Sequence, residues 1–563
     1  MSKRKIICIC LFFFILASLH SQEALKSIEE DYFNFLSIQG KTERPTLNYR
    51  TLSDSDWKIT QQNHIWENNN LGSKKNLSNN IKYKIFGPEW KNSFNTASPY
   101  GQNDGGQWQG KGYNTSLSAG ARIESKGFEI TIKPQLSFSQ NLNFDYITPA
   151  YNAYNYDQNG NIIGDSTYKD KASEYGYYGH TCIDAPQRFG DKSFWMFDWG
   201  DTEIRYTYKT FTIGVGTQIP WLGPVQINPI LHSNNAPTYP KFDIGFRKTK
   251  IHMPYFGWNL GELENRNFWG ILTESEYFDK NKDNNHNLIA GLSLSWSLPW
   301  IFEGFTLGLN RTLTCTWDDI SPYSAFRIFV PKMHGGEDNC DQRVSFTFDY
   351  VMPNSNFELY LEWARNDFSP NMDFIIRYPF HTQGWTFGAQ KIFTISENYK
   401  LQILLELTHL ECSADYDRLI NWTSTFYAHH EVTQGYTNKG QWLGAGIGTG
   451  GNSQYLGVKV YHKKGSIEFF INRNNPDLDY TMYIDSKKYE QEWKEGKWIA
   501  ESNIRCFLHF GLSSQYFFNK NFSFQSKYVF TDERNPLNKS KENSRKSERR
   551  FNNHIELGIK YNF

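Results

Sequence analysis

The last ten residues of the chain alternate without a break. Ile555, Leu557, Ile559, Tyr561 and Phe563 are apolar, and His554, Glu556, Gly558, Lys560 and Asn562 fall between them. A period of two puts one set on each face of a β-strand. The pattern recurs along the chain. Tyr113, Thr115, Leu117, Ala119, Ala121 and Ile123 share a face, and after the polar turn at residues 124–127 Phe128, Ile130, Ile132, Pro134, Leu136 and Phe138 do the same. Phe211 to Val215, Val344 to Met352, Phe357 to Trp363 and Leu401 to Leu407 repeat it, with Glu, Lys, Gln, Thr or Gly on the other face. A chain made of this many two-faced strands folds either as a β-sandwich or as a closed barrel in a membrane.

Three features select the barrel. Short turns alternate with long polar loops such as residues 141–191 and 531–550. Aromatic residues, 17% of the chain, gather near strand ends, where the two membrane interfaces need them. The apolar faces are also too many for one soluble core. The ending Glu556-x-Gly558-x-x-Tyr561-x-Phe563 resembles the C-terminal signal that outer-membrane barrels present to their assembly machinery. That assigns Gly558, Tyr561 and Phe563 to assembly.

The N-terminus reads as an export signal over residues 1–21. Lys3, Arg4 and Lys5 precede an apolar run from Ile6 to Leu19, too short for the ~20 residues of a spanning helix. No apolar run of that length follows, and mean hydropathy is −0.63, so any later membrane contact is made by strands. Lys+Arg 59 against Asp+Glu 59 gives no net charge and no basic excess for nucleic acid. A barrel over 109–563 holds about 18 strands of ~9–11 residues, with room for loops. Residues 22–108 are expected to form a periplasmic helical element or partial plug, helical from Glu23 to Ile38 by the spacing of Leu25, Ile28, Tyr32, Phe33 and Leu36. The expected fold is all-β: a transmembrane antiparallel barrel with a small N-terminal helical element.

Chemistry-bearing patterns are sparse. Asp198 with Asp201, Glu262 with Glu264, and Asp318 with Asp319 are carboxylate pairs, and charge pairing in a lumen or loop accounts for them better than glycoside hydrolysis. Asp279-x-Asn281-x-Asp283 lacks the glycine and the glutamate of a calcium loop, and Asp157-x-Asn159-x-Asn161 is read the same way, as loop polarity. No nucleophile elbow or zinc motif occurs, so no catalytic residue, cofactor or metal is assigned. Five cysteines remain beyond the signal, with no metal spacing, and Cys182 with Cys340 is the preferred pair. The basic stretch at residues 534–550 suits anionic polysaccharide or lipopolysaccharide, or simply a solvated loop.

Several stretches resemble the Wzi family of capsule-assembly outer-membrane proteins. One is Trp221, Gly223 and Pro224 followed by Ser233-Asn234-Asn235-Ala236-Pro237. A second is Asn103 and Asp104 running into Trp108, and a third runs from Gln441-Trp442-Leu443-Gly444 to Gly450. Arg44 to Arg50 adds a fourth. His232 and Thr238 depart from the pattern, so ligand identity is not carried over. The resemblance implies a monomeric Gram-negative outer-membrane barrel of about 18 strands, without catalysis, that holds capsular or exopolysaccharide at the cell surface. The alternative function is a porin-like channel for sugars or other small solutes.

Overall fold

In the computed structural model, one antiparallel sheet closes on itself. The structure describes residues 27–147, 173–176, 182–330, 340–366, 371–411, 425–479, 504–537 and 548–563, apart from 62, 73, 280 and 430. The export signal at 1–21 lies outside them. The wall begins with β1 (Ile81–Asn95) and β2 (Gly112–Ser125). β3 consists of Phe128–Ile132 and Gln135–Ser139, both paired with β2 across a break at Pro134. β4 consists of Phe194–Asp198 and Glu203–Tyr208, paired with the two halves of β3. There follow β5 (Phe211–Gly216), β6 (Lys241–His252), β7 (Asn259–Thr273), β8 (His286–Ser297) and β9 (Phe305–Thr316). Next come β10 (Cys340–Met352), β11 (Phe357–Asn366), β12 (Gln383–Thr394), β13 (Tyr399–His409) and β14 (Asn452–His462). β15 (Gly465–Asn475), β16 (Cys506–Phe517), β17 (Phe522–Arg534) and β18 (Arg549–Tyr561) complete the wall. β18 pairs with β1 from His554↔Asn95 to Lys560↔Glu89, so the sheet of 18 strands has no edge.

The barrel therefore starts at Ile81 rather than at 109. Residues 81–95 hide from a period-two reading because the pairing slips between Phe86 and Glu89, which swaps the faces in mid-strand. The break at Pro134 likewise interrupts what reads as one continuous strand from 128 to 138. Proline cannot donate to a ladder, and the chain kinks there.

Burial along each strand is inverted relative to a soluble protein. On β18, Ile555 and Leu557 are about half exposed, whereas Asn552 and His554 are buried. Outward apolar faces meet lipid and inward polar faces meet one another. Connections alternate between short turns and long loops, as in outer-membrane barrels with short periplasmic turns. The short turns include 126–127, 209–210 and 463–464. The C-terminus lies at the same end, where the Tyr561 and Phe563 rings pack 4.8 Å apart.

An 18-stranded wall encloses a lumen wide enough for a channel. Here the chain fills it. Helix α1 (Ile28–Ile38) is capped by Ser27, whose hydroxyl accepts from Glu30 N–H at 3.1 Å, and residues 23–26 of the helix expected from Glu23 to Ile38 lie outside the described residues. The helix lies inside the periplasmic end. Tyr32, Phe35 and Trp66 form one cluster with the inward-facing Tyr461 and Phe517, the Tyr32 and Trp66 rings 4.1 Å apart. Glu29 accepts from Lys560 Nζ at 2.9 Å, tying the helix to the last strand.

Cys315 and Cys340 form the disulfide, directly opposite each other on β9 and β10. The Cys182–Cys340 pairing is thus corrected: Cys182 is buried as a free thiol in a different loop, and Cys506 is also free. Cys412 lies outside the described residues. Ile555→Lys, on the lipid face midway along β18, is expected to cost ~2–4 kcal/mol in urea unfolding from vesicles. Gln525→Lys, facing the lumen on β17, is expected to cost less than half as much in the same measurement.

Candidate functional site

The family-like motifs meet inside the barrel. Loop 217–240, between β5 and β6, folds inward, and its Trp221 and Leu222 pair antiparallel with Arg50 and Tyr49 of the N-terminal segment. Gly223 donates its N–H to Asn48 O at 2.9 Å with φ at 89°, a conformation that favours glycine. Trp221 is fully buried and donates its indole N–H to Val225 O at 2.9 Å. The plug from below and the loop from above thus join in a two-residue ladder within the lumen.

Irregular backbone buried in a lumen leaves N–H groups without partners unless the wall supplies them. Three wall glutamates do so. Glu264 on β7 accepts from Leu47, Asn48 and Tyr49 at 2.8, 3.1 and 2.7 Å. Glu406 on β13 accepts from Gln226, Ile227 and Asn228 at 2.9, 3.1 and 2.8 Å. Glu362 on β11 accepts from Ile230 at 2.7 Å. Charge also binds the plug: Asp54 meets Arg247 and Arg266, and Arg44 meets Asp349 and Glu358. Sequence reasoning missed Glu362 and Glu406, since an inward glutamate on an alternating strand looks like any other lumen residue.

The outer level of the fill is made by three loops. Asn103 N–H donates to Asn235 Oδ1 at 2.8 Å and Gly105 N–H to Asn234 O at 2.9 Å, joining loop 96–111 to loop 217–240. Ser233 donates from its N–H to Leu443 O at 2.7 Å and from its hydroxyl to Gly444 O at 2.5 Å, joining loop 410–451. Ser233, Asn235 and Pro237 are buried, whereas Asn103, Asp104, Trp108 and Asn234 are half-buried. The Trp108 indole N–H and the Asn103 side-chain oxygen are themselves buried and have no partner among the described residues. Trp108 packs on Phe189 at 4.8 Å, and Phe189 on Tyr277 at 5.7 Å, giving a run of rings beside the amides. Gly558 and Tyr561, in β18, and Phe563, just beyond it, are apart from this site.

The carboxylate pairs resolve into structural roles. Asp198 accepts from Thr238 N–H at 2.8 Å and from its hydroxyl, and Asp201 pairs with Lys133 at 2.9 Å. Glu262 pairs with Lys248 while Glu264 holds the plug. Asp318 and Asp319 stand in a short turn, Trp317–Asp319. Asp279 and Asn281 accept from the backbone two residues on, the loop chemistry expected of them. His232 bonds the Tyr239 hydroxyl at 2.6 Å, and burial lowers its pKa to about 3, so it stays neutral. Arg549 and Arg550 pair with Asp532 and Glu533 at strand ends rather than in a loop. Lys539, Lys541, Arg545 and Lys546 of the basic stretch lie outside the described residues, as do Asp157, Asn159 and Asn161.

A buried latch links three loops at this level. Asp184 N–H donates to Gln434 O at 3.0 Å, and its carboxylate accepts from the Ser275 N–H and hydroxyl, both at 2.6 Å. Burial pushes Asp184 up to about 7 and Glu274 beside it up to about 9, the latter helped by the charge of Asp184. Burial also raises Asp279.

A profile of the family described as Capsule assembly protein Wzi matches residues 85–546. Among solved structures, the chain is similar to Wzi of Escherichia coli, described as an outer-membrane protein involved in group 1 capsule assembly and a carbohydrate-binding β-barrel. That likeness has a TM-score of 0.53 at 11% identity and covers 84% of each chain. OccAB4 of Acinetobacter baumannii (TM-score 0.38, 8% identity, 86% of this chain and 98% of that one) is more distant. So is a BenF-like porin from Pseudomonas fluorescens (0.37, 9%, 85% and 99%). No curated protein matches the sequence.

Two outcomes are expected. Glu406→Ala orphans the N–H groups of Gln226, Ile227 and Asn228, at about 1–3 kcal/mol for each that is buried, and loosens the inward loop 217–240. Planar-bilayer recordings should then show current where the parent protein shows little. The latch binds protons more tightly folded than unfolded, because its carboxyl pKa values are raised. Its stability therefore falls as pH rises from about 4 towards 9 and is flat above that. Protection of the Asp184 and Ser275 amides, that is, exchange relative to the unstructured rate at the same pH, should be weaker at pH 9 than at pH 5, and Asp184→Asn with Glu274→Gln should flatten that difference.

Proposed function

The chain belongs to the Wzi family of capsule assembly proteins, and we propose that it works as an outer-membrane lectin that retains capsular or exopolysaccharide on the cell surface. The observation that carries this reading is the filled lumen. A wall wide enough for a channel is closed by a plug held on Glu264 and by inward loops held on Glu362 and Glu406. A diffusion channel has no use for that arrangement, whereas a binding platform needs its outer loops held rigid. The half-buried Asn103, Asp104, Trp108 and Asn234 are the proposed polymer contacts. An apolar ring stacks on sugar C–H faces, and side-chain amides take hydroxyls. The buried Trp221, Gly223, Pro224, Ser233, Asn235 and Pro237 shape and hold the loops that present them. The reading needs no catalytic step, cofactor or metal. A repeating polymer touching many copies of a weak site gains avidity without any one site being strong.

On the same reading the protein acts as a monomer, and Gly558, Tyr561 and Phe563 are its signal to the barrel-assembly machinery. Lipopolysaccharide surrounds the outer rim.

Trp108→Ala together with Asn103→Ala should weaken binding of purified capsular polymer on the order of tenfold, as loss of a central aromatic anchor does. Cells carrying that variant should release polymer to the medium with total synthesis unchanged. Undiminished polymer retention, with the variant present in the outer membrane at parental levels, contradicts the assignment.

A further inference from the structure

The outer wall departs from its lipid-facing pattern in one sector. On β8 and β9, Leu288, Ala290, Leu313 and Cys315 point away from the lumen, since Asn287, Ile289, Thr312 and Thr314 between them point into it. Outward residues elsewhere on these strands, such as Leu294 and Trp296, are open to lipid. These four are buried, at 8% exposure or less. The cover is residues 317–330, the loop after β9, which turns back down the outside of the barrel. Its Ile328 joins the four in one apolar cluster.

Two wall side chains hold this strap in place. Trp269 on β7 donates its indole N–H to Ala325 O at 2.8 Å. Arg311 on β9 donates to Arg327 O at 3.1 Å, Ile328 O at 2.7 Å and Gln342 Oε1 at 2.7 Å. The Cys315–Cys340 disulfide closes the base of the strap on the same outward face.

Arg311 fixes the depth. β9 has 12 residues, and a spanning strand needs about 9–11. No more than about three residues can overhang the apolar layer. Arg311 stands five residues below the outer end at Thr316, so it lies within that layer, and so do the strap carbonyls it bonds. An outward arginine at that depth is tolerated because protein groups, rather than lipid, surround its guanidinium. Irregular backbone survives at membrane depth only where protein satisfies its polar groups, and Arg311 and Trp269 satisfy three of the strap's carbonyls.

The strap's other face presents Trp317, Phe326, Phe329 and Val330, all 43–64% exposed. It continues the lipid-facing surface of Leu294 and Trp296 on β8 and of Phe346 and Phe348 on β10. We propose that residues 317–330 are an outer-leaflet anchor whose exposed apolar face is seated against the acyl chains of the outer-leaflet glycolipid. The inference is independent of polysaccharide binding. It gives the barrel one flank where protein, not lipid, covers the wall and grips the leaflet through rings.

Photocrosslinking in intact cells tests it. Phe326 and Phe329 are replaced singly by p-benzoylphenylalanine, with Leu136, three residues below the outer end of β3 and facing lipid, as the lipid-facing control and the exposed loop residue Asn281 as the water-facing control. Irradiation is expected to shift the protein band to a species stained for lipopolysaccharide at positions 326, 329 and 136, and not at 281. Positions 326 and 329 behaving like 281, or giving adducts with a protein instead, overturns the proposal. Heat-modifiable gel migration identifies a variant that fails to fold. In that case the same reagent placed at Trp317 gives the decisive reading.

Discussion

Backbone hydrogen bonding governs this molecule. Within a bilayer no water can satisfy an exposed N–H or C=O, so the sheet must close on itself. The pairing of β18 with β1 achieves that closure, and the disposition of every other element follows from it. A closed wall of 18 strands leaves a wide interior, and the same rule then applies inside. Segments that enter the lumen bring their own peptide groups, and the wall meets them with Glu264, Glu362 and Glu406. One carboxylate accepting two or three neighbouring N–H groups is a charge-assisted contact, stronger than neutral ones. It lets a non-helical strand of plug sit in a lumen without a ladder of its own.

The interior is accordingly a polar core. Asp243 on β6 joins Arg205 of β4, Lys241 of its own strand and Arg266 of β7, and Arg266 passes the network to Asp54 of the plug. Buried ion pairs of this kind are weak evidence for net stability, because desolvation offsets much of the attraction. Removing one partner leaves the other charge buried and unpaired, which is the costly change. Among the described residues the larger apolar clusters lie around α1, where the inward loops meet, and beneath the outer strap. The outer loops that carry the proposed contacts are thereby fixed on a rigid base, which lowers the ordering cost of gripping a flexible polymer.

Much of the wall was legible in the sequence, because a strand with lipid on one side and a polar lumen on the other must alternate. The run from Ile555 to Phe563 and the stretches at 113–123 and 344–352 show this directly. The start of the wall was not legible. The slip between Phe86 and Glu89 exchanges inside and outside within β1. The disulfide was misjudged for a related reason: the cysteine partners are cross-strand neighbours, and register between β9 and β10 is not written in either segment alone. The motif residues were picked out by resemblance, but their division into buried and half-buried positions required the meeting of three loops that are distant in the chain.

The sequence by itself determined the architecture: spanning strands with two chemically opposed faces, an alternating last strand, and a family pattern spread over most of the length. These are local properties, fixed by side-chain period and composition. Tertiary structure alone decided that the lumen is filled, that Glu406 serves loop 217–240 and Glu264 the plug, and that the strap at 317–330 lies outside the wall. Each of these depends on which distant backbone amide reaches which inward or outward side chain. That is set by the closure and stagger of the whole sheet, to which no single stretch of sequence has access.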